Sequence, residues 1–118
     1  MITNFEELTF ALTQDEKKAI KLIIAILKKT SKENAIKSNE LIGMINSKLK
    51  PKEGKELNGV RLRKAVNYIR SKSMLAIIAT SKGYYSTTDA NEVKRQIKSL
   101  NERAEAIKNS AIGLTNFL

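Results

Sequence analysis

Apolar residues recur along the chain at helical spacing, switch once to a strand-like run, and return to helical spacing at the end. Ala19, Ile20, Ile23, Ile24, Ile26 and Leu27 form the first stripe, wide enough to imply burial on two sides. Thr13-Gln-Asp-Glu16 precedes it with capping-box spacing, and Lys28–Lys29 follow at the negative end of the dipole, so a helix is predicted over 13–29. Ala35-Ile36-Lys37 reads as a short extended piece. Ser38 caps a second helix in which Leu41, Ile42, Ile45 and Leu49 recur with Met44 alongside, and Pro51 and Gly54 end it. Asn58 is the N-cap of a third helix, Gly59–Lys72, whose Leu62, Ala65, Val66 and Ile69 fall on one face. Rotation by about 100° per residue puts Val60, Lys64 and Asn67 opposite, Arg61 and Tyr68 on one shoulder, and Arg63 and Arg70 on the other.

Then the period changes. Leu75–Ala79 is short, apolar and β-branched, Thr80-Ser-Lys-Gly83 supplies turn chemistry, and Tyr84–Thr87 resumes with β-formers: a hairpin with Ser81, Lys82 and Gly83 at its tip. Strand alternation sends Tyr84 and Tyr85 to opposite faces, so the core takes at least one of them. Asp89, with Glu92 three residues on, opens a last helix. Its Val93, Ile97, Leu100, Ala104, Ile107, Ala111, Leu114 and Leu118 alternate spacings of four and three, the a/d seam of a coiled coil. From Asp89 to Ser110 such a helix is about 33 Å long at about 1.5 Å per residue, and Gly113 marks a weak point near its end. The seam has two ways to be covered, by the helix 13–29 of the same chain or by the same helix of a second chain. Its length favours the homodimer, with Val93, Ile97, Leu100, Ala104, Ile107, Ala111 and Leu114 at the contact.

These elements predict a mainly α, α+β fold, with a helical and hairpin domain over 1–88 and a helical arm over 89–118. Charge adds the functional signal. The 118 residues carry 22 basic and 12 acidic side chains, a formal net charge of +10. Between Glu56 and Asp89 stand Arg61, Arg63, Lys64, Arg70, Lys72 and Lys82 with no acid among them, so more than half of the excess lies in about a quarter of the chain. A solvated helix face usually mixes signs. A concentrated positive field is what a phosphate backbone selects, through release of its condensed counterions.

Other chemistry is thinly provided. With neither Cys nor His, disulfides and Cys/His zinc sites are impossible, and no metal or other cofactor is expected. No Gly-rich phosphate loop, nucleophile–base pair or carboxylate cluster stands at motif spacing, which argues against an enzyme and leaves no small-molecule substrate in view. The longest apolar stretch, Ile20–Leu27, is interrupted by Lys21 and far too short for a bilayer, and the first residues lack a basic n-region. A soluble, cytoplasmic protein is expected.

Taken together, the run from Gly59 to Lys72 (GVRLRKAVNYIRSK) and that from Ile78 to Tyr85 (IATSKGYY) resemble the recognition helix and wing of small phage-type winged helix-turn-helix DNA-binding proteins. The similarity covers residues 36–88. It implies a sequence-specific double-stranded DNA-binding protein acting in transcription regulation or replication of a phage or mobile element. It places Arg61, Lys64, Asn67 and Tyr68 toward the major groove, Arg63 and Arg70 on the backbone and Lys82 at the wing tip; independently, Asn58 and the free N–H groups of the helix start offer neutral phosphate donors. The turn Lys50–Glu56 is longer than that pattern has. The alternative is a winged-helix adaptor that binds another protein, its basic face giving only non-specific DNA affinity.

Overall fold

A computed structural model describes residues 12–118; the reading of the first residues lies outside this range. The elements are α1 (Gln14–Leu27), a 3-10 turn (Lys32–Asn34), α2 (Ser38–Leu49), α3 (Gly59–Ser71), β1 (Ile77–Thr80), β2 (Gly83–Ser86), α4 (Ala90–Leu114) and a last 3-10 turn (Thr115–Phe117). The fold is mainly helical α+β. The chain forms two compact units, Met1–Thr87 and Thr88–Leu118.

In the first unit α1 begins with the full capping box. Thr13 Oγ1 accepts the Glu16 amide at 3.1 Å while Glu16 Oε1 accepts the Thr13 amide at 3.0 Å. The wide apolar stripe is spent on the core: Ala19, Ile20, Ile23 and Leu27 pack with Leu41 and Ile45 of α2 and Leu62, Ala65, Val66 and Ile69 of α3. The four α3 residues are those placed on one face by the sequence.

The long turn between α2 and α3 is held by a side chain the sequence did not single out. Asn46 Nδ2 donates to the Leu57 carbonyl at 3.0 Å, and its Oδ1 accepts the Leu57 amide at 2.8 Å. This doubly bonded amide replaces a backbone partner and lets Leu57 bury its side chain. Lys50, in the left-handed region at φ 47°, turns the chain out of α2. The end of α3 is similar. Ser73 takes φ 54°, the Ser73 amide donates to the Arg70 carbonyl and the Met74 amide to the Ile69 carbonyl, a Schellman arrangement with serine where glycine is usual.

The hairpin pairs Ile77 with Ser86, Ile78 with Tyr85, Ala79 with Tyr84 and Thr80 with Gly83. Its strands are shifted by one or two residues from the predicted runs: Leu75 and Ala76 lead into β1, and the tip is Ser81–Lys82, with Gly83 already in β2. Ile36 adds a bridge to Tyr84 through bonds of 2.9 and 2.8 Å, so the short extended piece forms a third strip beside the hairpin. Gly83 permits this approach. Its φ is 127°, and a Cβ there would lie 2.5 Å from the Ile36 carbonyl carbon and oxygen. Ile77 joins the core with Tyr84 packed against it, while Ile78 and Tyr85 are buried outside that cluster. At the base of β2, Ser86 Oγ donates to the Leu27 carbonyl at 2.6 Å, fixing the hairpin to the end of α1.

In the second unit α4 starts from Asp89, whose side chain accepts the Asn91 amide. It runs as one α-helix through Gly113 to Leu114, longer than the sequence stretch taken to Ser110, and none of its residues is buried.

Candidate nucleic-acid interface

Helix α3 presents its apolar side to the core and leaves a narrow stripe in solvent: Val60, Arg63, Asn67 and Ser71, spaced by three or four residues. Val60 is 67% exposed. Arg63 and Asn67 are exposed side chains free to reach outward, and Lys82 is exposed at the hairpin tip.

Other cations predicted at this face turn inward. Lys64 was placed opposite the core; it is instead half-buried, with Nζ 3.1 Å from both Glu16 carboxylate oxygens. The reason is tertiary. The block lacks an acid only along the chain, and α1, packed on α3, brings Glu16 to it. Arg61 folds back along the long turn, its guanidinium donating to the Glu56 carbonyl at 2.7 Å and the Gly54 carbonyl at 3.2 Å. Arg70 is half-buried and its Nε donates to the Ile77 carbonyl at 3.0 Å, bracing the hairpin against α3. Asn58 is the N-cap, its Oδ1 accepting the Arg61 amide at 2.9 Å. Tyr68 is half-buried beside the core, with the Lys72 ammonium 5.9 Å from its ring centroid. Thus Arg63, Asn67 and Lys82 stand outward, whereas Asn58, Arg61, Lys64, Tyr68 and Arg70 have structural contacts.

Burial by itself pushes the Glu16 carboxyl up. The Thr13 amide, the Lys64 hydrogen bond and the charges of Lys64 and Arg61 outweigh it and hold the group below its ordinary value. Glu16 is therefore a carboxylate at neutral pH, and its charge offsets that of Lys64 beside it.

The structure adds two cations that sequence order concealed. Lys32 and Glu33, from the turn after α1, line a shallow depression with Thr80, Ser81, Lys82 and Tyr85. Lys37 and Ser38, at the start of α2, line another with Ala79, Thr80, Ser81, Gly83 and Tyr84. The hairpin tip thus gathers Lys32, Lys37 and Lys82, with Glu33 as the acid among them. The signal was present in the Ile36 strand, whose pairing with Tyr84 brings the residues on either side of it to the tip.

Seven of the eight predicted seam residues are on α4; Leu118 lies beyond it, after the last 3-10 turn. Ile97, Ala104, Ile107, Ala111 and Leu114 are exposed, and Val93 and Leu100 are partly covered. Among the described residues no group of three or more His, Cys, Asp or Glu side chains is arranged to hold a metal, and no helix is long and apolar enough to cross a membrane. No protein-family model, curated protein or solved structure matches this chain.

Proposed function

We propose that this protein binds double-stranded DNA sequence-specifically as a winged helix-turn-helix protein, with α2 and α3 as the helix pair and the β1–β2 hairpin as the wing, in control of transcription or replication. The observation that carries the reading is the exposed stripe Val60–Arg63–Asn67–Ser71 on a helix backed by the core, with no acidic residue on it. An α-helix fits the major groove. Arg63 suits guanine, Asn67 suits adenine, and Val60 offers an apolar contact to a thymine methyl, the chemistry by which side chains tell base pairs apart. Lys32, Lys37 and Lys82 at the hairpin tip provide phosphate contacts, which position the helix without reading sequence. Arg61, Lys64 and Arg70 serve the reading indirectly by holding the turn, α1 and the hairpin against α3.

The test is binding to duplexes selected from a random pool. The reading expects an enriched site, and Arg63→Ala or Asn67→Ala relaxing one position of it at a cost of about 1–3 kcal/mol. Lys82→Ala is expected to weaken all sequences alike and to flatten the dependence of log affinity on log salt by about one unit. Salt-sensitive binding without any enriched site would replace this reading with the adaptor.

A further inference from the structure

We infer that α4 pairs with α4 of a second copy of the chain, and that the two helices run antiparallel. This does not depend on DNA binding. Among the described residues none of the 25 on α4 is buried, whereas helices in water are normally held by tertiary packing of one face. Its aliphatic side chains line up and stand in solvent, with Ile97 51%, Ile107 70% and Leu114 66% exposed.

The order of large and small residues along the seam selects the partner and its direction. In a parallel, in-register pair each residue meets its own copy. Ala104 and Ala111 would then form hollow layers between the wide layers of Leu100 and Ile107, forcing one helix spacing on residues that need two. Reversal removes the mismatch. With the dyad between Ala104 and Ile107, Ala104 faces Ile107, Leu100 faces Ala111 and Ile97 faces Leu114, all within α4. Each alanine meets a large aliphatic, and every seam position from Ile97 to Leu114 is used. Such self-complementarity about a twofold axis is the property of an isologous interface, so the occupant is a second copy.

Charge points the same way. The flanking positions hold Lys94, Arg103 and Lys108 and no acid within the helix. In the parallel arrangement Arg103 of each chain lies beside Lys108 of the other, two like-charge contacts. In the antiparallel one Arg103 meets Ser110, Lys108 meets Asn101 and Lys94 meets Thr115. Ile112, 56% exposed, stands off the seam and takes no part.

The chain has no cysteine, so a single spin label introduced by Asn91→Cys reports only its symmetry mate. Antiparallel pairing sets the two labels about 44 Å apart along the rod, about 29 residue rises of about 1.5 Å. A label at Arg95→Cys gives about 32 Å by the same rise. Parallel pairing keeps either pair within about 20 Å, the width of two helices. The expected result is a dimer at tens of micromolar with the long distances, erased by Ile107→Asp while the circular dichroism melt of the remaining fold is kept. A short distance would overturn the antiparallel direction, and a monomeric mass with folded protein would overturn the pairing itself. Neither outcome bears on duplex affinity, so this inference and the DNA reading fail separately.

Discussion

Helices α1 and α4 begin alike and end differently. Each opens on a side-chain cap, Thr13 or Asp89, with acid in its first turn, and each carries aliphatics three and four residues apart. Yet α1 buries Ala19, Ile20, Ile23 and Leu27, and α4 buries nothing. The difference lies in the width and texture of the stripe. In α1 the seam is flanked by Leu22, Ile24 and Ile26, which also pack on the core, giving a face broad enough to meet two other helices. In α4 the seam is a narrow a/d line, with two of its seven members on the helix reduced to alanine, the shape that meets one helix. Period alone says that a face needs covering; width says by how many neighbours.

Substitution at equivalent depth in each pattern separates the two fates most strongly. Ile23 is 0% exposed, so Ile23→Ala is expected to cost about 2–5 kcal/mol and lower the thermal midpoint by about 10 °C or more. Ile107→Ala, at a side chain 70% exposed, is expected to leave the midpoint of the monomer within about 0.5 kcal/mol of wild type and to appear only as weaker association. An equal loss of monomer stability from both would break the comparison. The glycines give a second contrast, somewhat smaller. Gly83→Ala forces a left-handed residue and a Cβ into the Ile36 backbone, an expected loss of about 2–4 kcal/mol in denaturant melts. At Gly113 nothing lies within 4 Å of the added Cβ, so Gly113→Ala is expected to raise helicity and gain up to about 1 kcal/mol.

The elements were legible because they depend on local order. The capping box, the Asn58 cap, the core face of α3, the extended piece at Ile36 and the hairpin all follow from spacing and turn chemistry within a few residues. The side-chain fates at the candidate interface were less legible. Rotation about α3 put Lys64 in solvent, since nothing in its neighbourhood along the chain indicates Glu16, 48 residues away. Arg61 and Arg70 were counted as outward cations because charge suggests solvent, while the unpaired carbonyls of a long turn and a strand edge are equally good partners for a guanidinium. Asn46 has no local signal for the same reason: its task, holding the Leu57 backbone, exists only once the long turn has closed. The Lys32–Lys37–Lys82 group needed the Ile36–Tyr84 bridge before it could be seen as a group.

The smallest effect tests the ion pair that ties α1 to α3. Glu16 is held below its ordinary value, so its contribution is present above the unfolded carboxyl value of about 4.3 and is lost as pH falls through the lower folded value. Glu16→Gln keeps the shape and one acceptor of the capping box but removes the charge facing Lys64. It is expected to cost about 1 kcal/mol at neutral pH, as a half-buried pair broken on one side leaves the ammonium without its counter-ion. Thermal melts of both proteins across the acid range then decide the cause. The two curves should converge as the wild-type carboxylate is protonated, because only wild type loses the ionised pair there. A gap that stayed constant with pH would mean that Glu16 acts through packing and its amide bond alone, and that the docking of α1 on α3 rests on the apolar stripe without help from charge.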